Sequence, residues 1–342
     1  MDTDDLNNLV AAILIPAIVL DSEFRILAAN RPSRALFDSK LQGLDFVRIV
    51  RQPGALECLA NVIKVRKPVQ CKLVLHQQTP RTFLANAAPL SDPSIEVEHI
   101  LFTLQDISDR IDAEKARSAF VANVSHELRS PLTSLLGAVE TLKGPARNDP
   151  KARERFLDLM QNEAERMSRL VADLLSLSKL EAKEHLPPKT RIDLLKIIQK
   201  VEQSLAASRS EYAGRVEIQA PAPLPMIRGD QDQMTEVFQN LIENALKYSK
   251  PDTPVLLKIT HEFKPKNQLT VHIEDQGEGI APEHIPRLTE RFYRVDKGRS
   301  RQTGGTGLGL AITKHILNRH RARLTISSQL AKGTTISVRL KV

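Results

Sequence analysis

Residues 121–132 read VANVSHELRSPL and residues 239–249 read QNLIENALKYS, with EDQGEGI at 274–280 and GGTGLGL at 304–310. The first segment lies in a run where Val121, Val124, Leu128, Leu132, Leu135, Val139 and Leu142 recur at helical spacing, giving one apolar seam. Gly144-Pro145 through Asp149-Pro150 break that run. A second seam follows in Phe156, Leu159, Met160, Met167, Leu170, Leu174 and Leu177, and Pro187-Pro188 marks a linker. Two long amphipathic helices joined by a short turn have too little core of their own. The pattern predicts an antiparallel hairpin that pairs with a second copy as a dimeric four-helix bundle.

Downstream, helix and strand periods alternate. Helices are expected at 193–210, 231–248 and 307–319, and strands at 215–219, 255–261, 269–274, 323–328 and 334–341. Asp230 with Gln233 reads as a capping pair opening the second of these helices. The expectation is an α/β sandwich, one helical layer on a mixed sheet. Upstream, short strands are expected at 18–21, 25–30, 71–76, 82–88 and 99–105, with a helix from Leu56 to Val65. The whole is a multidomain α+β chain with divisions at 1–107, 108–186 and 187–342.

The chain has 342 residues, 41% hydrophobic and 26% charged, too apolar for global disorder. Aromatics make up 4% and Trp is absent, which argues against a stacking platform for nucleic acid. The net charge of +8 comes with no compact basic block or DNA-reading motif, so no nucleic-acid partner is expected. Cys58 and Cys71 lack metal or redox spacing, which fits a reduced cytoplasmic setting. The one candidate span, Leu9 to Leu20, is shorter than the ~20 apolar residues a crossing helix needs and contains Pro16. It reads as a core segment, leaving membrane association open without a transmembrane span.

His126 projects about 200° from the seam set by Val124 and Leu128, so its imidazole faces water. An exposed histidine is usually only a surface residue. As a nucleophile it needs that exposure and a neutral ring, and Glu127 is placed to hold the proton of the other ring nitrogen. Pro131 cannot donate to the Glu127 carbonyl, so a bend is expected just below.

Asn240, Asn244 and Lys247 share one helix face. Their side chains suit Mg²⁺ through the two amide oxygens and phosphate through the ammonium, with Tyr248 flanking a nucleoside. A helix with a polar outer face is the plain alternative. Asp275 closes a strand ahead of Gly277 and Gly279, where the backbone can turn beneath a flat ring. Gly305, Gly307, Leu308 and Gly309 lead into a helix, which puts amide N–H groups on phosphate. That glycine run alone also fits a dinucleotide fingerprint, although no buried parallel strand precedes it. Residues 291–301 form either a solvated basic loop or a nucleotide lid. In a lid, Phe292 and Tyr293 would pack it down while Arg294, Lys297 or Arg299 reach phosphates.

In this order the four segments resemble the sensor histidine kinases of two-component signalling. The resemblance implies autophosphorylation of His126 from Mg-ATP in a Bergerat-type (GHKL) fold, then transfer to an aspartate of a response regulator. It further implies that Asp275 accepts from the adenine amino group. Ser130 stands where the family has Thr or Asn to position water in a phosphatase step, and Ser keeps a hydroxyl. Residues 1–107 resemble a PAS domain, and Asp106-Ile107-Ser108 resembles its exit into a signalling helix. Segments 288–298 and 314–320 are similar to the phosphate-regulon sensor kinases, which implies a role in phosphate limitation. The rivals are an ATPase of the same nucleotide fold and a non-catalytic dimeric scaffold. Such ATPases place a water-activating glutamate one turn before Asn244, where this chain has the amide Asn240.

Overall fold

The computed structural model describes residues 3–37, 40–76, 79–90, 99–183, 186–221, 223–263, 267–295 and 305–342. The chain divides into two units, Met1–Ala119 and Phe120–Val342.

In the first unit, apolar alternation makes half-buried strands and an uninterrupted apolar run makes a fully buried one. The run is β1 (Ala17–Asp21), AIVLD, whose first four residues are all buried. It lies between β2 (Ile26–Ala29) and β5 (His99–Asp106), and β4 (Pro80–Pro89) and β3 (Val69–His76) complete the antiparallel order β2-β1-β5-β4-β3. One face takes α3 (Pro53–Val65), packing Leu59 and Val62 with Ile18, Leu20 and Phe102. The other takes Leu6 and Val10 of α1 (Thr3–Ala11) against Ala17, Val19 and Ala28. A short α2 (Arg31–Phe37) follows β2.

One expectation changes here. The segment Leu9 to Leu20 is core at Val10 and again from Ala17 onward, because a helix end and a turn come between and leave Leu14 93% exposed. Asn30 holds that turn, donating to the Ile13 and Ile15 carbonyls and accepting from the Ala17 amide. Cys58 and Cys71, unremarkable by spacing, bring their thiols together between α3 and β3, and burial pushes Cys58 up to about 12.

The hairpin is α4 (Ser108–Lys143) and α5 (Pro150–Lys183), broken where the glycine and proline signals fall. Pro131 sits inside α4 without ending it. Seam residues Val121 and Leu132 remain 59% and 49% exposed, as a stripe awaiting cover would be. Leu170 and Leu177, expected in the hairpin seam, also join the core of the region that follows. The reason is that α5 carries apolar residues on more than one side, with Val171 and Leu175 left exposed.

That region is a mixed sheet in the order β11-β12-β10-β9-β7. Its strands are β7 (Val216–Gln219), β9 (Val255–Glu262), β10 (Gln268–Asp275), β11 (Arg323–Gln329) and β12 (Gly333–Lys341). Only the β7–β9 pair is parallel. The helices α6 (Leu194–Ser208), α7 (Gln231–Tyr248) and α8 (Gly309–Arg319) pack on it. The pair β6 (Arg191–Ile192) and β8 (Ile227–Arg228) was not expected, being too short to show a period.

α7 buries Met234, Val237, Phe238, Leu241, Ile242, Ala245 and Leu246. Each large side chain so buried contributes about 1.5–3 kcal/mol, which fixes the helix and aims its polar face. Asp230 caps α7 through the Gln233 amide at 3.3 Å, but the reciprocal half of the box is absent. The Asp230 amide donates instead to His320 Nε2 at 3.0 Å, and Gln233 Oε1 has no hydrogen-bond partner among the described residues.

Candidate functional site

His126 is exposed on α4, with Glu127 half-buried beside it. No hydrogen bond or ion pair of His126 occurs among the described residues. Glu127 does not hold the imidazole in this conformation, contrary to the sequence expectation. Its Oε2 accepts from Arg166 Nη2 of α5 at 3.0 Å, since the helix turn points adjacent side chains about 100° apart. Ser130 is exposed one turn beyond His126.

The nucleotide candidates converge through backbone turns. The Asp275 carboxylate at the end of β10 accepts the Gly277 and Thr334 amides on Oδ1, at 2.8 and 3.2 Å. No hydrogen bond to Oδ2 occurs among the described residues, so Oδ2 is the atom available to a ligand. Burial raises the Asp275 pKa, and those two amides oppose the rise. Gly277 forms a bridge with Ser249, tying the end of α7 to this turn. A methyl group on Gly279 would lie 2.1 Å from the Gln329 carbonyl oxygen, and its φ is +71°. Only glycine fits there.

On α7, a methyl group on Gly305 would meet Lys247 Nζ at 3.1 Å, and one on Gly309 would meet Asn240 Oδ1 at 3.3 Å. The asparagine–lysine face and the glycine-rich loop therefore line one site. Burial, then the Arg294 guanidinium, pushes Lys247 down to about 8. Asn244 is half-buried on the same helix, whereas Tyr248 is 52% exposed with the Lys247 ammonium 5.1 Å from its ring. The glycine-rich loop reaches α8 through Leu308, which is fully buried. The dinucleotide alternative loses its support, because the strand before the loop, β10, runs antiparallel to both neighbours.

Phe292 and Tyr293 anchor the start of the basic segment. Phe292 donates its amide to Gly307 and packs against Phe120 of α4, with ring centroids 5.8 Å apart. The Tyr293 hydroxyl meets His284 Nδ1 at 2.7 Å, beneath the Arg287 guanidinium. Lys297 and Arg299 lie outside the described residues.

Three residues escaped the sequence reading. Asp173 of α5 accepts the Thr306 hydroxyl at 2.7 Å, and burial raises its pKa. Glu236 of α7, also raised by burial, accepts from Ser176 at 2.9 Å. Arg166, on the same helix as Asp173 and Ser176, is the third. Acidic residues on an amphipathic helix look like solvent-facing positions until a second element covers them. No group of three or more His, Cys, Asp or Glu side chains able to hold a metal occurs among the described residues. Amide oxygens can hold Mg²⁺ without such a group, and the Asn240 oxygen facing the glycine loop suits that role.

Residues 116–183 match the His Kinase A (phospho-acceptor) domain. Residues 229–342 match the histidine kinase-, DNA gyrase B- and HSP90-like ATPase family. The phosphate regulon sensor protein PhoR of Pseudomonas aeruginosa is 41% identical over 243 residues, 70% of this chain and 53% of that protein. The sensor protein kinase WalK of Staphylococcus aureus is 40% identical over 244 residues, 69% of this chain and 56% of that protein. The chain thus spans about half the length of these two relatives. The crystal structure of histidine kinase ThkA, in complex with response regulator protein TrrA, matches with a TM-score of 0.50 and 18% identity. That match covers 98% of this chain and 97% of ThkA, and shows the fold.

Proposed function

The chain belongs to the sensor histidine kinases of two-component systems, and on that premise we propose that it phosphorylates its own His126 from Mg-ATP. The observation that carries this reading is the meeting of the Asn240–Lys247 face with Gly305 and Gly309 in a chain that also exposes His126. The unprotonated ring nitrogen attacks the γ-phosphorus, the bond to the β,γ-bridging oxygen breaks, and ADP leaves. Glu127 takes the proton from the other ring nitrogen. Lys247, Arg294 and the loop amides of Gly305, Gly307, Leu308 and Gly309 hold phosphate, and Lys297 joins them. Asp275 Oδ2 accepts from the adenine amino group over Gly277 and Gly279, with Tyr248 at the nucleoside. Asn240 and Asn244 would hold Mg²⁺, which neutralises phosphate charge when bound.

The exposed stripe with Val121 and Leu132 supports a homodimer. A response regulator aspartate is the onward acceptor, the partner class with which ThkA was solved. Ser130 would position water if the chain also dephosphorylates that regulator. The sheet order β2-β1-β5-β4-β3 with α3 on one face supports a PAS-like sensor in the first unit. Likeness to PhoR supports a role in phosphate limitation, and ATP as substrate supports a cytoplasmic site of action. No helix among the described residues is long and apolar enough to cross a membrane.

The test is incubation with γ-labelled ATP and Mg²⁺ beside a His126→Gln variant. Acid-labile, base-stable label on the wild type and none on the variant is expected. ATP hydrolysis without protein label would instead make the chain an ATPase of the same fold.

A further inference from the structure

Arg166 makes the sole side-chain hydrogen bond between α4 and α5 among the described residues, and it falls beside the phosphate acceptor. Its side chain is 13% exposed, and its Nη2 lies 3.0 Å from Glu127 Oε2, itself 28% exposed. Its Nη1 lies 3.9 Å from Glu163 Oε2 on the preceding turn of α5. That Glu163 oxygen is buried and has no hydrogen bond among the described residues. A guanidinium presents donors in a rigid fork, so anchoring one arm fixes the direction of the other.

Burying such a group between two carboxylates is a costly way to join two helices that an apolar pair would join as well. Holding Glu127 at one oxygen has a chemical consequence. Oε2 is committed to Arg166, and no hydrogen bond to Oε1 occurs among the described residues. We propose that Arg166 is a positioning residue for phosphoryl transfer. By holding Oε2 it leaves Oε1 open to receive the His126 ring proton once the imidazole turns to it, as the N–P bond forms and ADP departs, while Glu163 steadies the guanidinium from behind. Nucleophile, base and orienting group then form a three-part relay, a general device for activating a weak nucleophile. Arg166 touches neither substrate nor the imidazole, so it acts only through Glu127. This inference rests on the phosphorylation of His126 proposed above.

The experiment measures the first-order rate of His126 labelling and the ATP KM for wild type, Arg166→Gln and Arg166→Lys. The His126 ring ¹⁵N spectrum of each protein is recorded alongside. Arg166→Gln is expected to slow labelling at saturating ATP roughly tenfold with KM unchanged. Arg166→Lys, which keeps the charge but not the fork, should recover part of the rate. Wild-type His126 should favour one tautomer and Arg166→Gln a mixture. A labelled wild type whose rate and tautomer are indifferent to Arg166→Gln would overturn the positioning role and leave the kinase reading intact. So would a loss in which KM rises as much as the rate falls. An unlabelled wild type would remove both. If Arg166→Gln does not fold, Arg166→Lys carries the same comparison.

Discussion

The acceptor side and the nucleotide side of the proposed active centre are built by opposite means. His126 stands exposed on a long helix and owes its position to helix geometry, with a cross-hairpin bond only at its neighbour Glu127. Asp275, Lys247 and the glycines are instead set by a buried core and by backbone contacts between three separate turns. One side can change partners without unfolding. The other can hardly move an atom without disturbing the sheet. In the proposed reaction a phosphoryl donor needs a rigid cradle, and an acceptor that also passes the group to a partner needs access.

The strongest way to break this comparison is one exchange made on both sides. Gly279→Ala sets a methyl group 2.1 Å from the Gln329 carbonyl oxygen at a φ of +71°. It should destabilise the second unit by about 3 kcal/mol and reduce ATP binding by more than about a hundredfold. Gly137→Ala on α4 meets nothing within 4 Å and should change stability by about 1 kcal/mol or less, in the stabilising direction. Denaturant unfolding and ATP titration of the two variants check this. Equal effects would mean that the nucleotide side is not the rigid one.

A second, smaller effect sharpens the acceptor side. Leu132 is 49% exposed within an apolar seam, so Leu132→Glu should shift the chain from dimer to monomer in sedimentation velocity. Placing a charge where the proposed dimer would bury an apolar side chain should weaken association by about a hundredfold. ATP binding should stay as in the wild type, because Leu132 is not among the residues packed on the core beneath the nucleotide site. A dimer that survives would remove this stripe as the interface.

The contrast also explains what could be read without coordinates. Helix and strand limits downstream of Pro187 were legible, because apolar periods there match burial almost residue for residue, as in β10. The glycines at 277 and 279 were legible because turns beneath a ligand require residues without a side chain. The partners of Glu127, Asp173 and Glu236 were not, since each is met by a residue from another element. Sequence spacing records which face of a helix a side chain is on. It does not record which element arrives to cover that face, and for this reason the place of Leu170 and Leu177 in the downstream core was not legible.

The smallest effect expected is a pH dependence that separates binding from folding on the nucleotide side. Burial, then the Arg294 guanidinium, moves Lys247 from 10.5 to about 8, so the folded protein carries this charge reluctantly. Phosphate binding needs the charged form. Raising the pH from 7 to 9 should therefore weaken ATP binding roughly tenfold through this group. A Lys247→Met variant should bind more weakly at pH 7 and lose that slope. Stability should move the other way. The unfolded chain keeps its lysine proton up to the ordinary value while the folded chain has released it, so Lys247 adds stability as pH rises from about 8 towards 10.5. Calorimetric titration and unfolding on the same samples would read both trends. Parallel trends, or a slope that survives Lys247→Met, would assign the dependence to another group and leave the ammonium as part of the scaffold only.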